Sequence, residues 1–203
     1  MTGTDHVTGD PSSATLHEAA GRTGALPSAI KPLSVAFRIW GPALPVRCPP
    51  GDNLWIHRAV YAAQPGDILV VEVGGGYEYG YWGEILTRAA LARRLGGLVI
   101  DGGVRDLDRL VEAGLPVFAR GVCIRGTVKD PEGAGAVGEA IVLGDVPVQH
   151  GDLVVGDADG VVVVAQALAA QAIEAGRERD EKEAGMMRRL AAGATTLDLL
   201  DLA

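Results

Sequence analysis

Basic residues are in short supply. Lysine and arginine number 18 against 26 aspartates and glutamates, a net charge of −8. A nucleic-acid binder neutralises phosphates with a basic surface, so direct nucleic-acid binding is not expected, although docking onto a basic protein is compatible with this balance. Cysteine is scarcer. Cys48 and Cys123 lie far apart with no His or Cys at zinc spacing, which reads as two thiols in place of a disulfide or a zinc site. No apolar run reaches the ~18 residues of a membrane span, and no basic patch leads into an apolar stretch at the N-terminus. A soluble, cytoplasmic chain without membrane contact is therefore expected. Aromatics make up only 4%, yet Tyr77, Tyr79, Tyr81 and Trp82 fall within six positions.

What is abundant is glycine, at 29 residues of 203, about twice ordinary usage. Such an excess without repeats indicates tight turns and close backbone approaches. Hydrophobic residues reach 48%, enough for the core of one domain. The composition of MTGTDHVTGDPSS divides off residues 1–13 as a disordered lead-in, followed by an α/β domain over 14–166 and a helical arm over 167–203.

Strands are expected at Val35–Ile39, Ile68–Val73, Leu98–Ile100, Pro116–Ala119, Ala140–Leu143, Asp152–Val155 and Val161–Val164. Helices are expected at Leu54–Ala63, Trp82–Leu95, Asp106–Ala113 and Leu168–Ala192, with the proline-rich Gly41–Asn53 and Gly-rich Gly126–Gly138 as loops. Asp52 or Asn53 is the expected cap of the first of these helices. The strand–loop–helix–strand order around Trp82–Leu95 is a βαβ crossover, so part of the sheet is expected to be parallel. The arm, with Arg177-Glu178-Arg179-Asp180-Glu181-Lys182-Glu183 in its middle, is too polar to bury itself and suits a solvated arm or a reach to a neighbouring subunit.

Chemistry concentrates in Gly83-Glu84-Ile85-Leu86 and in Asp101-Gly102-Gly103-Val104-Arg105-Asp106, both just past the ends of expected parallel strands, where open α/β sheets bind ligands. Free N–H groups at Gly83–Leu86 can hold a carboxylate. Asp106 can coordinate a hard divalent cation, and Arg105 can hydrogen-bond a developing enolate oxygen. Twenty residues separate Glu84 from Arg105. Each residue also has a bland reading: Glu84 complements a helix dipole, and Arg105-Asp106 is a surface turn with a helix cap. His17, His57 and His150 carry no motif and read as structural or solvated.

The pieces GDNLWIHRAV, PGDILVVEVGGG, YWGEIL, GGLVIDGGVRD, LPVFARG and HGDLVVGDADGVVVV resemble the RraA-like family, which includes class II 4-hydroxy-4-methyl-2-oxoglutarate aldolases, over about residues 33–165. The resemblance implies a layered β/β/α swivelling-domain-like α/β fold with a partly parallel sheet and a long C-terminal helix. It implies Asp106 as direct metal ligand and Glu84 as the acid that holds a metal-bound water. Arg105 would bind the keto or enolate oxygen of pyruvate, and the N–H groups of Glu84–Leu86 its carboxylate. Glu183 is the best match, with Glu181 the alternative, for a further acid that reaches the metal through water from a neighbouring subunit of a homotrimer or hexamer. Mg²⁺ or Mn²⁺, a small 2-oxo acid substrate and retro-aldol release of pyruvate, with oxaloacetate decarboxylation, complete the implied picture.

Two segments depart from the family pattern. The loop Gly74–Tyr81 carries three tyrosines where smaller residues are common, and Cys123-Ile124-Arg125 replaces a proline-containing stretch. Near the N-terminus, Leu16-His17-Glu18-Ala19-Ala20 stands where the family has an Asp before a small helix. The rival reading is a non-catalytic RraA-like protein that binds and inhibits a ribonuclease. A methyltransferase-like cofactor loop at Gly74–Gly76 lacks the remaining glycine fingerprint.

Overall fold

A computed structural model describes residues 10–202. Most of the expected disordered lead-in lies outside the described residues. Its last part does not: Ser12 caps helix α1 (Ser13–Ala19), its Oγ accepting from the N–H of Thr15. After α1 come the two-residue strand β1 (Lys31–Pro32), β2 (Ile39–Arg47), α2 (Leu54–Ala62), β3 (Ile68–Glu72), β4 (Gly80–Trp82), α3 (Glu84–Ala92), β5 (Gly97–Val104), α4 (Leu107–Ala113) and β6 (Val117–Val122). Then follow β7 (Ala136–Val137), β8 (Ile141–Leu143), β9 (Val146–Val148), β10 (Leu153–Gly156), β11 (Val161–Val164), the long α5 (Gln166–Ala191) and α6 (Thr196–Leu199).

The main sheet runs β1-β6-β5-β3-β2-β10-β11, with β4 on β5 and β7 on β2. Its centre, β2-β3-β5-β6, is parallel, and α2, α3 and α4 make the crossovers. The flanks are antiparallel. The sheet nearly closes on itself, because the segment before β1 bonds back to the far edge: Leu26 N–H to Val161 O, and Val163 N–H to Gly24 O.

The unbroken apolar strands follow from burial on both faces. In β3, Leu69 and Val71 pack under the three helices, while Ile68 and Val70 face the inside of the curved sheet. The β8–β9 hairpin, through Ile141, Leu143, Val146 and Val148, plugs that inside. On the far flank, Leu16 of α1 and Ala172 of α5 cover Val162 and Val164 of β11. Leu16 is fully buried, so truncating it to Ala costs about 2–5 kcal/mol.

Several expected boundaries move. The strand expected at Val35–Ile39 is β2, which begins where that strand was to end and runs through the proline-rich segment; Val35 is exposed. Prolines cannot donate to a ladder, but β2 exchanges partners at Ala43, antiparallel to β10 before it and parallel to β3 after it, and Pro42 falls at that changeover. The third strand runs to Val104, not Ile100, so Asp101-Gly102-Gly103 belongs to it. Trp82 belongs to β4, and α3 starts two residues later than expected. The arm helix buries only Ala172 and Gly176, Gly176 lying against Pro11, and its Asp180 accepts Thr15 Oγ1–H from α1. Both cysteines are free, Cys48 buried and Cys123 half-buried. No described helix is long and apolar enough to cross a membrane.

Candidate active site at the ends of β4 and β5

The short strand β4 pairs with the C-terminal half of β5, Gly80 opposite Gly103 and Trp82 opposite Val104. This pairing brings the start of α3 beside the end of β5. Arg105 N–H then donates to Trp82 O at 2.9 Å, so the two expected motif segments are neighbours across one backbone ladder. Trp82 is locked beneath them, its indole N–H donating to Thr87 Oγ1 at 2.6 Å.

Asp106 adopts a left-handed conformation, φ 61°, which Asp tolerates better than most side chains. The consequence is that its carboxylate does not cap its own helix α4. It turns across to α3 and accepts the N–H of Glu84 at 3.0 Å. The bland reading of Asp106 as the cap of α4's first turn is therefore replaced by a cap in trans on a different helix. Gly83 makes this possible: a Cβ there would stand 2.5 Å from Asp106 Oδ2 and 3.2 Å from Arg105 Cγ. The Arg105 side chain runs along Gly80 and Gly83 and has no carboxylate partner among the described residues.

Glu84 sits in the first turn of α3 and pairs with Arg88 at 3.2 Å, an exposed i,i+4 contact of little energy. Of the three N–H groups expected to hold a carboxylate, that of Glu84 is already given to Asp106. Those of Ile85 and Leu86 have no acceptor within the helix, whose first internal bond is Thr87 N–H to Gly83 O. The structure thus brings Gly83, Glu84, Ile85, Leu86, Arg105 and Asp106 together. It does not bring Glu183 to them within one chain. Glu183 lies on α5, pairs with Arg179 at 2.9 Å and lines a 370 Å³ cavity between α5 and α6.

One neighbour of the site carried no chemical signal in the sequence. Asn53, expected only as a possible helix cap, makes no capping bond; Asp52 takes that role through Leu54 N–H. Asn53 instead donates Nδ2–H to Tyr81 O, just before Trp82-Gly83, and its Oδ1 is buried without a donor among the described residues. A buried unpaired carbonyl costs about 1–3 kcal/mol, which a ligand or water donor would recover. The Gly126–Gly138 loop closes over this corner: Val128 N–H donates to Gly51 O, and Asp130 N–H to Asp52 Oδ2. Burial, with a smaller contribution from Lys129 on that loop, holds His57 below the ordinary imidazole range, which suits a structural histidine.

The chain belongs to the RraA-like family, described as Aldolase/RraA, whose pattern matches residues 8–163. A protein of Halalkalibacterium halodurans, provisionally named a 4-hydroxy-4-methyl-2-oxoglutarate aldolase, is 38% identical over 139 residues, 68% of this chain and 65% of that relative's own length. Among solved structures, a protein from Pseudomonas syringae pv. tomato matches 91% of this chain and 86% of its own, with a TM-score of 0.81 and 29% identity. The RNA-processing inhibitor RraA from Thermus thermophilis matches 75% of this chain and 91% of its own, with a TM-score of 0.67 and 26% identity.

Proposed function

We propose that this protein is a divalent-metal-dependent carbon–carbon lyase that cleaves a 4-hydroxy-2-oxo acid in the retro-aldol direction, releasing pyruvate, and that also decarboxylates oxaloacetate. The observation that carries this reading is the Asp106–Glu84 N–H contact at 3.0 Å, which joins a carboxylate, an arginine and a helix N-terminus in one place.

The donor set fits a hard cation. Asp106 is exposed, and with Oδ2 held by Glu84 N–H, its other oxygen is left to face an ion. Glu84 adds a second carboxylate. No group of three or more His, Cys, Asp or Glu gathers among the described residues, so one chain offers a sparse, all-oxygen shell. Mg²⁺ or Mn²⁺, which keep several waters, suit such a shell. The bound ion would supply Lewis-acid polarisation of the 2-oxo group.

The chain's own residues do the rest. Ile85 and Leu86 N–H groups hold the carboxylate of the pyruvyl half, as a helix N-terminus holds anions. Arg105 donates to the keto oxygen and stabilises the negative charge that develops there when the C3–C4 bond breaks. Glu84 holds the water that takes the 4-hydroxyl proton. Decarboxylation of oxaloacetate leaves the same enolate and needs the same stabilisation. Glu183 from a neighbouring subunit of a trimer or hexamer would complete the carboxylate shell.

The likeness to the RraA inhibitor favours a second reading, a protein-binding role without turnover. Incubation with oxaloacetate or 4-hydroxy-2-oxo acids and Mg²⁺, following pyruvate, separates the two. The lyase reading expects release by the wild type and loss of about 10³-fold or more in Asp106→Ala, the scale of removing a group that acts on transition-state charge. Equal inactivity of both proteins with every substrate favours the inhibitor.

A further inference from the structure

Helix α3 starts without a cap of its own. Its N-cap is Gly83, which has no side chain to offer, and the Glu84 carboxylate is turned to Arg88. Two other ties hold its first turn. One is the Asp106 carboxylate on Glu84 N–H, at 3.0 Å. The other lies beneath it: Trp82, the residue before the cap, donates its indole N–H to Thr87 Oγ1 at 2.6 Å. A contact from the residue before the cap to the fourth helical residue fixes the angle at which a chain enters its helix. Here that staple is a hydrogen bond.

The two ties respond differently to disturbance. The Asp106 bond is exposed, so water replaces it at little cost. Trp82 is 1% exposed and Thr87 0%, so breaking the indole bond leaves a buried donor without an acceptor. Trp82 also reaches the other half of the site. Its carbonyl accepts Arg105 N–H at 2.9 Å, and its backbone pairs with Val104 of β5. Tyr81, just before it, is pinned through its hydroxyl, which accepts Gly51 N–H and donates to Gly76 O, both at 2.7 Å. One residue thus joins the start of α3, through its side chain, to Arg105, through its main chain. Thr87 supplies the acceptor that makes this junction rigid.

We infer that Thr87 is a positioning residue: by holding the Trp82 indole it fixes Arg105 relative to the N-terminus of α3. Its consequence for turnover rests on the lyase reading, and its consequence for Arg105 can be measured apart from that reading. Thr87→Val keeps the shape of the side chain and removes the acceptor, whereas Thr87→Ser keeps the hydroxyl. Leu16→Ala, on the far flank, lowers stability without touching the junction. Hydrogen exchange by NMR is read at Arg105 N–H, with the amides of β3 reporting global opening. Oxaloacetate turnover with Mg²⁺ is followed at a temperature where every variant is folded.

Thr87→Val is expected to speed Arg105 exchange about tenfold, the scale of one lost hydrogen bond. Its kcat should fall about 10- to 100-fold through misplacement of the guanidinium. KM should change far less, because the substrate carboxylate is held by the helix's own N–H groups. Thr87→Ser should restore most of both losses. Leu16→Ala should speed β3 exchange and leave Arg105 exchange and kcat as in the wild type. Wild-type Arg105 exchange in Thr87→Val overturns the assignment, as does equal acceleration in Leu16→Ala. Faster Arg105 exchange with undiminished kcat overturns it too. Selective acceleration in a protein whose wild type releases no pyruvate keeps Thr87 as the residue that places Arg105 and removes the lyase reading. If Thr87→Val does not fold, Trp82→Phe, which removes the donor in place of the acceptor, carries the same expectations.

Discussion

Gly83→Ala isolates the geometry on which the site depends. Gly83 has an extended backbone, φ −153° and ψ −167°, which any residue adopts, so the substitution brings no backbone strain. What it brings is a methyl group 2.5 Å from Asp106 Oδ2 and 3.2 Å from Arg105 Cγ. Something must move by about 1 Å to reach ordinary contact, and the exposed Asp106 carboxylate is softer than the ladder between β4 and β5. The bond to Glu84 N–H then breaks. Because that N–H can turn to water, the cost in stability is about 1 kcal/mol, a Tm decrease of about 2–4 °C.

The cost in function is far larger. On the proposed lyase reading, displacing Asp106, the proposed cation ligand, and Arg105 by such a distance lowers turnover on the order of 10²-fold. Gly75→Ala is the control. It sits at φ 78° with open space around its Cβ position, so it carries backbone strain of about 1 kcal/mol and no clash with the site. Thermal melts and pyruvate release on both variants decide the matter. Matched stability losses with activity lost only in Gly83→Ala support the reasoning; full activity in Gly83→Ala refutes it.

Further outcomes follow from the same structure. Arg105→Ala should abolish turnover with little loss of stability, since the side chain is exposed and unpaired among the described residues; unfolding on a denaturant titration would make it structural. Cys48 is buried and desolvation pushes its thiol up to about 12, so native labelling at pH 8 should modify Cys123 alone, and denaturant should expose the second thiol. Burial would raise the Asp157 pKa, but hydrogen bonds from Ser13 N–H, Ser13 Oγ–H and Asp159 N–H outweigh it and hold it below the ordinary value. A depressed carboxyl stabilises fully above its unfolded pKa of about 3.9 and loses that contribution as pH falls through the folded value. Acid titration should therefore release α1 from β11 below about pH 4, and Asp157→Asn should flatten that transition in hydrogen exchange.

The sequence conveys the elements whose signal is local. The runs Ile68–Val71 and Val161–Val164 are buried on both faces and show as unbroken apolar stretches. Gly83–Leu86 and Arg105-Asp106 do meet, because a βαβ unit places them at adjacent strand ends. What was hidden depends on distant partners. Proline argued against β2, yet the change of partner at Ala43 accommodates Pro42. The strand expected to stop at Ile100 continues because Arg120 neutralises Asp101, and Gly102 and Gly103 are flat places where the Tyr81 ring and Tyr79 carbonyl lie on the strand. Helix α1 is seven residues long and stands on its cap and its bonds to Asp157, 144 positions away. No local pattern reports that Asp106 would cap α3.

The most direct test is a crystal grown with Mg²⁺ and pyruvate. The ion is expected on Asp106, the pyruvate carboxylate at the Ile85 and Leu86 N–H groups, and the Arg105 guanidinium on the keto oxygen. An ion bound elsewhere, with Arg105 and Asp106 directed away from a common ligand, would contradict it.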